Sequence, residues 1–326
     1  MLRKLSLALL LLFTASLSGA QDVAFSQFYA NPLYLNPAFA GSGVGPRVIL
    51  NYRNQWPSLP GNFVTYAASY DQYFSAISGG FGIQVLSDHI GDNNFQHNQV
   101  AIMYSNNLTI NRNLVLKTGF QYMFAQRSLN WMGLIFPDEI DSRLGIQPGT
   151  TAENLPALNA TNANMHDFSA GAILFSDQFY GGFAFHHLTQ PNQSLIPPGV
   201  VPWNLRTTLH AGANFEVVRG SRNVPGTTLS PNIIAIFQGP ATQINVGSYI
   251  TRGPIVGGLW YRFGDAFIVS LGLQQGVFRM GYSYDITTSR LRAAALGSHE
   301  ISFALQLESK ERIPRRKMVK IKCPTF

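Results

Sequence analysis

Cysteine is almost absent from the 326-residue chain. The single Cys323 excludes an intramolecular disulfide framework and any metal site built from several cysteines, and we interpret it as an unpaired thiol. Charge is scarce as well, since 12% of the residues are Asp, Glu, Lys or Arg against about 25% in ordinary soluble domains. Something other than charged side chains must therefore cover much of the outer surface.

Long apolar runs are also missing. Residues 1–20 combine a basic start, an apolar core from Leu5 to Phe13 and a small-residue cleavage site at Ser18 to Ala20, which predicts a secretory signal peptide. This core is shorter than the roughly 20 apolar residues that a membrane-spanning helix requires, and no later run reaches that length. The mature chain is expected to start at Gln21.

A basic surface for nucleic acid is missing, although the net charge is +7. Arg3 and Lys4 lie in the predicted signal peptide, and residues 308–326 hold seven basic against two acidic side chains. The body, residues 21–307, is left with no net charge. We therefore expect no nucleic-acid partner.

Catalytic motifs are missing too: the chain has no G-x-S-x-G, no H-E-x-x-H and no Walker loop. His186 and His187 are adjacent, and neighbours in a strand point to opposite faces, so they are not expected to share a metal ion. Ser298, His299 and Glu300 follow one another in sequence, which is not the geometry of a catalytic triad. We predict a protein that is not an enzyme, with no catalytic residue, metal or cofactor.

Short segments that alternate apolar and polar residues make up the body. In residues 205–217, Leu, Thr, Leu, Ala, Ala, Phe and Val occupy one face, and Arg, Thr, His, Gly, Asn and Glu the other. Residues 48–56 and 278–285 repeat the pattern. Fourteen strands are predicted, beginning near Arg47, Phe63, Gly80, Asn98, Leu114, Asp167, Phe179, Leu205, Asn232, Gln243, Ile255, Asp265, Phe278 and Glu300.

The predicted connections differ in length. Residues 87–96, 128–167 and 189–203 are interpreted as long loops, and residues 176–178 and 251–253 as short turns. Short periplasmic turns and long outer loops are typical of outer-membrane barrels, and a closed barrel leaves no sheet edge. The predicted fold is all-β, a transmembrane antiparallel β-barrel of about 14 strands. The alternative is a soluble, secreted β-sandwich, which the low charge disfavours because a sandwich turns its polar face to water.

Two sets of side chains are assigned from this pattern. Aromatic residues at or near predicted strand ends suggest an interfacial girdle, namely Tyr52, Tyr66, Tyr70, Tyr104, Tyr122, Trp260 and Tyr284. Charged residues on the inward phases are Arg53, Lys117, Arg206, Glu216, Arg262, Arg279 and Asp285. These charges form either structural ion pairs inside a wet lumen or a selectivity ring for a permeant solute. Arg279 and Asp285 lie three inward steps apart, so each is expected to pair with a neighbouring strand.

A basic tail, residues 308–326, follows the last predicted strand. It is expected on the periplasmic side, where the barrel chain also begins. The tail is either solvated or docks by charge attraction to an acidic partner such as peptidoglycan or a periplasmic subunit. The candidate docking residues are Arg315, Arg316, Lys317, Lys320 and Lys322.

An apolar stretch, FSQFYANPLYLNPAFAG, precedes the first strand at residues 25–41. Asparagine as a cap before proline at the first helical position is a favoured start for Asn31-Pro32 and for Asn36-Pro37, and Gly41 suits a left-handed end. We predict two short capped turns in a periplasmic segment, residues 21–46, in or under the barrel mouth. There it acts either as a plug or as an element that packs on the barrel wall.

Several of these stretches together resemble the PorP/SprF family of type IX secretion system membrane proteins. The stretches are FSQFYANPLYLNPAFAG (25–41), YRNQW (52–56), FYGGFAFHHLTQPNQSL (179–195), LSPN (229–232) and GYSYDITTSRLRAAALGSHEISFALQL (281–307). The most specific motifs are HLTQPN (187–192) and GYSYD followed by GSHE (281–285 and 297–300). They span almost the entire predicted mature chain in the expected order.

The resemblance implies an integral outer-membrane barrel of a Gram-negative bacterium, with both chain ends in the periplasm, that works with the secretion and gliding apparatus. Members are associated either with the secretion machinery or with export and surface attachment of large adhesins, and they are not enzymes. The implied partners are other secretion or gliding proteins and a large secreted adhesin. The competing interpretation is a diffusion porin or a small-solute transporter.

Overall fold

The structure is a computed structural model that describes residues 22–308, except residues 44, 60, 92–93, 112, 132–133, 150, 153–161, 197–198, 222–224 and 290–296. The predicted signal peptide lies outside these residues, and so do Cys323 and the basic residues of the tail: Arg315, Arg316, Lys317, Lys320 and Lys322. These predictions therefore stay predictions.

Fourteen antiparallel strands close into a barrel. In chain order they are β1 (Arg47–Gln55), β2 (Phe63–Phe74), β3 (Gly79–Ile90), β4 (Phe95–Thr109), β5 (Val115–Leu129), β6 (Asn162–Phe175), β7 (Phe179–His186), β8 (Arg206–Ala213), β9 (Thr227–Gln238), β10 (Ala241–Arg252), β11 (Ile255–Arg262), β12 (Ala266–Gln275), β13 (Phe278–Thr287) and β14 (Ser298–Gln306). Each strand pairs with its chain neighbours, and β1 pairs with β14 to close the ring. This confirms the predicted strand number and fold class.

Side chains along the strands alternate between an apolar outer face and a polar inner face. Outward positions such as Leu50, Phe120 and Leu259 are exposed, at 48%, 64% and 67%. Apart from Arg252 at the end of β10, no outward position of the fourteen strands carries Asp, Glu, Lys or Arg. A soluble sheet would place its charges on the exposed face, so this inverted pattern is that of a barrel whose outside meets lipid.

Three strands begin earlier than predicted: β4, β6 and β9 start at Phe95, Asn162 and Thr227. The connection between β3 and β4 is consequently short, residues 91–94, and the prediction of a long loop there was wrong. The predicted start near Asn232 lies just after Pro231, which lacks a backbone N–H. Instead Pro231 lies within β9 opposite the point where β8 stops pairing, and Phe215–Val218 continues β8 beyond that break.

The two ends of the barrel differ. One, which we call the long-loop end, carries residues 130–161 and 187–205, and the former includes a 3₁₀ turn (Pro137–Glu139) and a small hairpin of Ile140–Asp141 with Gly145–Ile146. The other, which we call the short-turn end, carries connections such as residues 176–178, 253–254 and 276–277, and the chain both enters β1 and leaves β14 there. None of the described helices is long and apolar enough to cross a membrane.

The aromatic residues divide between the two faces. Tyr52 contacts Tyr66 on the outside, with ring centroids 5.3 Å apart, as a girdle requires. Trp260 instead points inward, is 2% exposed and packs against Phe28, so its assignment to the girdle was wrong. It falls on the inward phase of β11 together with Val256 and Arg262. The alternation of inward and outward positions along β11 decides which way Trp260 faces, and its distance from the strand end does not.

Candidate functional site: the filled barrel interior

The barrel interior holds an N-terminal segment, which we define as residues 22–43. Its helical elements are a 3₁₀ turn (Phe28–Ala30), one α-helical turn (Pro32–Leu35) and a second 3₁₀ turn (Pro37–Phe39). Asn36 caps the last turn by accepting a hydrogen bond from the N–H of Ala38 at 2.9 Å. Asn31 makes no such cap, contrary to prediction, because its Oδ1 accepts from Nε2 of Gln84 in β3 at 2.8 Å.

The N-terminal segment runs along the interior from one end of the barrel to the other. Asp22 contacts Arg206 at the start of β8 and Gln238 at the end of β9, both at the long-loop end. Gly41 contacts Asp71 near the end of β2, at the short-turn end. The two ends of the described chain therefore lie at opposite ends of the barrel, whereas we had predicted both on the same side. By spanning the interior, the segment buries every residue from Phe25 to Gly41 except the half-buried Tyr34.

Apolar side chains of the N-terminal segment form the core of the molecule together with inward side chains of the strands. Leu33, Ala38 and Phe39 are at most 2% exposed. Tyr29 lies edge-on to Tyr180, with centroids 5.9 Å apart, and Phe39 stacks on His210 at 5.5 Å. Burial of this kind contributes about 25 cal/mol for each Å² of apolar surface removed from water. The segment is thus held by packing around much of its circumference.

Glycines on the inward faces of the strands make room for the segment. A Cβ at Gly119 of β5 would lie 2.4 Å from the backbone nitrogen of Ala38, and one at Gly80 of β3 would lie 2.1 Å from the carbonyl oxygen of Ala40. At Gly171 and Gly281 a Cβ would collide with the side chains of Asn36 and Gln27. Sequence reasoning missed these residues, although glycine on the inward phase of several strands was a usable signal.

A charge cluster of four strand residues binds the beginning of the segment near the long-loop end. Arg53 pairs with Asp285 at 2.9 Å and with Glu300 at 3.1 Å, and Arg262 lies 3.4 Å from Asp285. Ser26 donates its hydroxyl to Asp285 at 2.6 Å and accepts from both arginines.

Glu300 completes this cluster, since it accepts the backbone N–H groups of Ser26 and Gln27 at 2.7 and 3.1 Å. The two cations and two anions of the cluster compensate one another's charge at this depth. Asp285 pairs with Arg53 of β1 and Arg262 of β11, each two strands away, rather than with a neighbouring strand as predicted. The arrangement is that of structural ion pairs.

A second set of contacts fixes the end of the segment at the short-turn end. Lys117, 2% exposed, donates from Nζ to the carbonyl oxygen of Ala40 at 2.7 Å, and Ser105 donates to the same oxygen at 2.7 Å. Asp71 accepts the N–H of Gly41 at 2.8 Å and pairs with Arg47 at 2.8 Å. Gly41 has a φ of +61°, so the predicted left-handed end is present.

The beginning of the segment is anchored by His187, which leaves β7 at the long-loop end. Its Nε2 lies 2.7 Å from Asp22 and its Nδ1 lies 2.9 Å from Asp167 of β6. Trp203 stacks on the imidazole at 3.9 Å and donates its indole N–H to Asp22 at 2.8 Å. Arg206 adds an ion pair to Asp22 at 3.4 Å and covers the ring of Tyr34. We call Asp22, His187, Asp167, Arg206 and Trp203 the His187 anchor.

Electrostatics favours the ion-paired form of this anchor. Burial lowers the pKa of His187, but the charge of the Asp22 carboxylate and the hydrogen bonds that the imidazole donates to Asp167 and Asp22 outweigh burial and raise its pKa above 6.5. Burial raises the pKa of Asp22. The charge of His187, the hydrogen bond to it and the charge of Arg206 outweigh burial and hold the pKa of Asp22 well below 3.8. The raised pKa of His187 stabilises the fold below about pH 6.5 and ceases to do so as pH rises through the raised value.

We therefore expect the barrel to unfold at a lower temperature once the pH rises through the raised pKa of His187. The loss should be about 1–3 kcal/mol, the usual worth of a buried hydrogen bond to a charged group. Heat-modified migration on gels, measured between pH 5.5 and 9, would follow it. His187→Gln should lower the unfolding temperature at pH 5.5 and remove the step, while the outward-facing His299→Gln should retain it. A step of wild-type size in His187→Gln would contradict the assignment.

Other predicted site residues have different surroundings. Arg279 falls on the inward phase of β13 but is only half-buried, and it has no ion-pair partner among the described residues. Glu216 is paired with Thr228 in the continuation of β8 and is exposed, so it does not belong to the buried inward charges. Pro32 and Pro37 are buried at the first position of their turns.

The two weak catalytic candidates have no shared geometry. His299 faces outward and contacts the hydroxyl of Tyr282 at 2.8 Å, while Ser298 and Glu300 face inward. His186 and His187 are both buried, contrary to the expectation of opposite faces, because the strand ends at His186 and His187 adopts a φ of +61°. In the part of the chain that the structure describes, no three His, Cys, Asp or Glu residues are placed to hold a metal ion.

Comparison with known proteins gives one family match. The family model described as "Type IX secretion system membrane protein PorP/SprF" matches residues 17–305. No curated protein matches the chain.

Solved structures with a similar barrel share little sequence with this chain. They include Omp33 of Acinetobacter baumannii (8% identity, 81% of this chain and 100% of that chain, TM-score 0.45) and the CymD monoaromatic hydrocarbon channel (12%, 89% and 96%, 0.49). A FadL homologue of Pseudomonas aeruginosa is a further example (12%, 80% and 88%, 0.36). These likenesses say nothing about what this chain binds.

Proposed function

Because the chain belongs to the PorP/SprF family of type IX secretion system membrane proteins, we propose that it is a non-enzymatic outer-membrane component of that system that acts through protein contacts. The observation that carries this proposal is the filled interior. A segment that is hydrogen-bonded at both ends and seated against wall glycines leaves the barrel surface, loops and termini as the parts that can act on a partner.

Orientation follows from the lengths of the connections. Outer-membrane barrels place short turns in the periplasm and long loops outside, so residues 130–161 and 187–205 face the exterior in this proposal. The chain leaves β14 at the short-turn end, so the same proposal puts the tail after Leu307 in the periplasm. Asp22, at the long-loop end, then faces the outer mouth of the lumen.

Two surfaces are proposed to bind partners. The outer loop of residues 130–161 suits an exported adhesin, because it is the longest connection and exposes apolar side chains such as Ile140 and Leu144, at 58% and 74%. The basic tail suits an acidic periplasmic component, either a secretion or gliding subunit or peptidoglycan, through charge attraction.

Affinity capture of the detergent-solubilised protein tests the proposal. We expect recovery of secretion, gliding or adhesin proteins. Truncation after Leu307 should reduce capture of periplasmic partners and make the remaining binding less sensitive to salt. A variant with residues 140–146 replaced by a glycine-serine linker should reduce capture of the exported partner and leave periplasmic capture intact. Recovery of none of these proteins would refute the proposal.

The second candidate function is a diffusion porin or small-solute transporter. The observation that favours it is the open space left in the long-loop half of the lumen, where one cavity measures about 360 Å³ and another about 280 Å³. A stable open level of the intact protein in planar bilayers would support this candidate. Absence of current together with partner capture would support protein contact instead.

A further inference from the structure

The larger cavity, about 360 Å³, lies in the long-loop half of the lumen. Val23 and Tyr34 of the N-terminal segment contribute part of its lining, and the inward faces of β3, β4 and β5 contribute another part. Its size falls within the range of pockets that hold small ligands, roughly 300–1,000 Å³. Leu86 and Met123 give it an aliphatic wall, and each is at most 2% exposed.

Arg127 of β5 lines this cavity as a buried cation without a carboxylate. It is 8% exposed, lies over the ring of Trp203 at 4.7 Å, donates Nε–H to Nδ1 of His97 at 3.2 Å and donates from Nη1 to Gln193. Among the described residues, no carboxylate lies within ion-pair distance of it, and its remaining N–H groups have no acceptor. A buried guanidinium in this state lacks the anion that normally compensates its desolvation.

Asp88 of β3 lines the same cavity as a buried anion without a cation. It is 8% exposed and accepts the hydroxyl of Thr65 at 2.6 Å. In the described part of the chain, no Lys, Arg or His lies within ion-pair distance of it. A carboxylate with one neutral donor retains unfilled acceptor positions.

The register of the sheet sets the spacing of these two charges. Asp88 is opposite His97, and His97 is opposite Arg127 in the next strand. Since neighbouring strands lie about 4.8 Å apart, the two Cα atoms are separated by roughly 10 Å. The two side chains point to the same inner face with one residue between them, and they do not reach each other. The intervening residue is His97, and the cavity that Asp88, His97 and Arg127 all line suits a ligand that carries both charges.

The other charged groups around the cavity already compensate one another. Asp22, His187, Asp167 and Arg206 belong to the His187 anchor and pair among themselves. Polar groups free for a ligand include the side-chain amide of Gln121, which has no partner among the described residues, and Nε2 of the buried His186. One cation and one anion are therefore left for an occupant.

We propose that this cavity binds a small zwitterion, a free amino acid with an aliphatic side chain. Its carboxylate pairs with Arg127, its ammonium group pairs with Asp88, and its side chain packs on Leu86 and Met123. This proposal does not depend on the function proposed above, because the cavity is formed by the barrel wall and the N-terminal segment alone.

An isosteric series tests the charge requirement. Leucine, 4-methylpentanoate and 3-methylbutylamine share the same branched chain. Leucine carries both charges, 4-methylpentanoate carries only the negative charge and 3-methylbutylamine carries only the positive charge. Calorimetric titration of the folded protein in detergent should show leucine binding at least about tenfold more tightly than either relative, the loss expected when one charged hydrogen-bonded partner is left empty. No binding of leucine, or equal binding of 4-methylpentanoate, would overturn the proposal.

Matched variants assign the two contacts. Arg127→Gln should weaken leucine binding about tenfold or more, and the isosteric Asp88→Asn should abolish the preference for leucine over 4-methylpentanoate. Arg279→Gln, which removes a half-buried inward arginine near the short-turn end, should bind like the wild type. Heat-modified migration confirms that each barrel is folded, and Asp88→Asn carries the test if Arg127→Gln does not fold. Wild-type leucine affinity and preference in Asp88→Asn would contradict the proposed site.

Discussion

Deletion of residues 25–41 is expected to turn a barrel with little ion current into one with a stable conducting level in planar bilayers. A barrel of eight strands encloses a lumen that side chains fill, whereas one of 16–18 strands leaves an aqueous channel. A fourteen-stranded barrel without this segment should therefore conduct at least roughly tenfold more current than the intact protein. The side chains then exposed to the lumen include Arg53, Glu300 and Lys117, which water can solvate. The physical reason for the increase is that the segment occupies the axis of the barrel.

A point substitution tests the same idea with less disturbance. Gly119→Leu would place side-chain atoms where Pro37 and Ala38 now pack, since even a Cβ there lies 2.4 Å from the nitrogen of Ala38. It should displace part of the N-terminal segment and produce an intermediate current. Gly257→Leu is the control, because a Cβ at Gly257 meets nothing within 4 Å. If the deletion leaves conductance unchanged, the segment packs on the wall without blocking the lumen.

Substitution of Gly41 by alanine is expected to destabilise the barrel strongly, although it adds a single methyl group. The residue has a φ of +61°, which costs a non-glycine residue about 1–2 kcal/mol. Its Cβ would also lie 2.5 Å from the Cα of Gly80 and 2.8 Å from the carbonyl oxygen of Gln72. Both neighbours are backbone atoms of paired strands, so overpacking should add about 1–3 kcal/mol.

Gly276→Ala separates the two contributions. Gly276 has a φ of +59°, and a Cβ there meets nothing within 4 Å, so this variant carries the backbone cost alone. Urea unfolding in lipid or detergent, followed by heat-modified migration, should rank wild type above Gly276→Ala and Gly276→Ala above Gly41→Ala. Equal losses in the two variants would show that Gly41 is not held against β2 and β3.

Much of the fold could be predicted because a barrel strand carries a strong local signal. Alternation around Leu209 and around Met280 identified the outward face, and the lack of charge on that face indicated lipid rather than water. Errors arose where local chemistry was overridden. β9 begins before Pro231, which lies opposite the break in its pairing with β8, and Trp260 follows strand phase into the core.

The interior was less predictable. The sequence indicated that Arg53, Lys117, Arg206, Arg262 and Asp285 face inward, but nothing local says which charge meets which. Arg53 and Glu300 are separated by almost the whole chain and become neighbours only because β1 closes on β14. His187 shows the same limit: it meets Asp22 because the N-terminal segment crosses the lumen, which no local period encodes.

By itself the sequence determined the number of strands, most of their inner and outer faces and the membership of the chain in its family, because period-two alternation and local motifs are properties of short stretches. Only the tertiary structure decided that residues 22–43 run the length of the lumen and pack against glycines of the wall. It also decided that Arg127 and Asp88 line the same cavity without pairing with each other. Those facts depend on closure of the barrel. Closure sets side chains from distant strands around one axis, and the charge, volume and contacts on that axis are fixed only when the ring is complete.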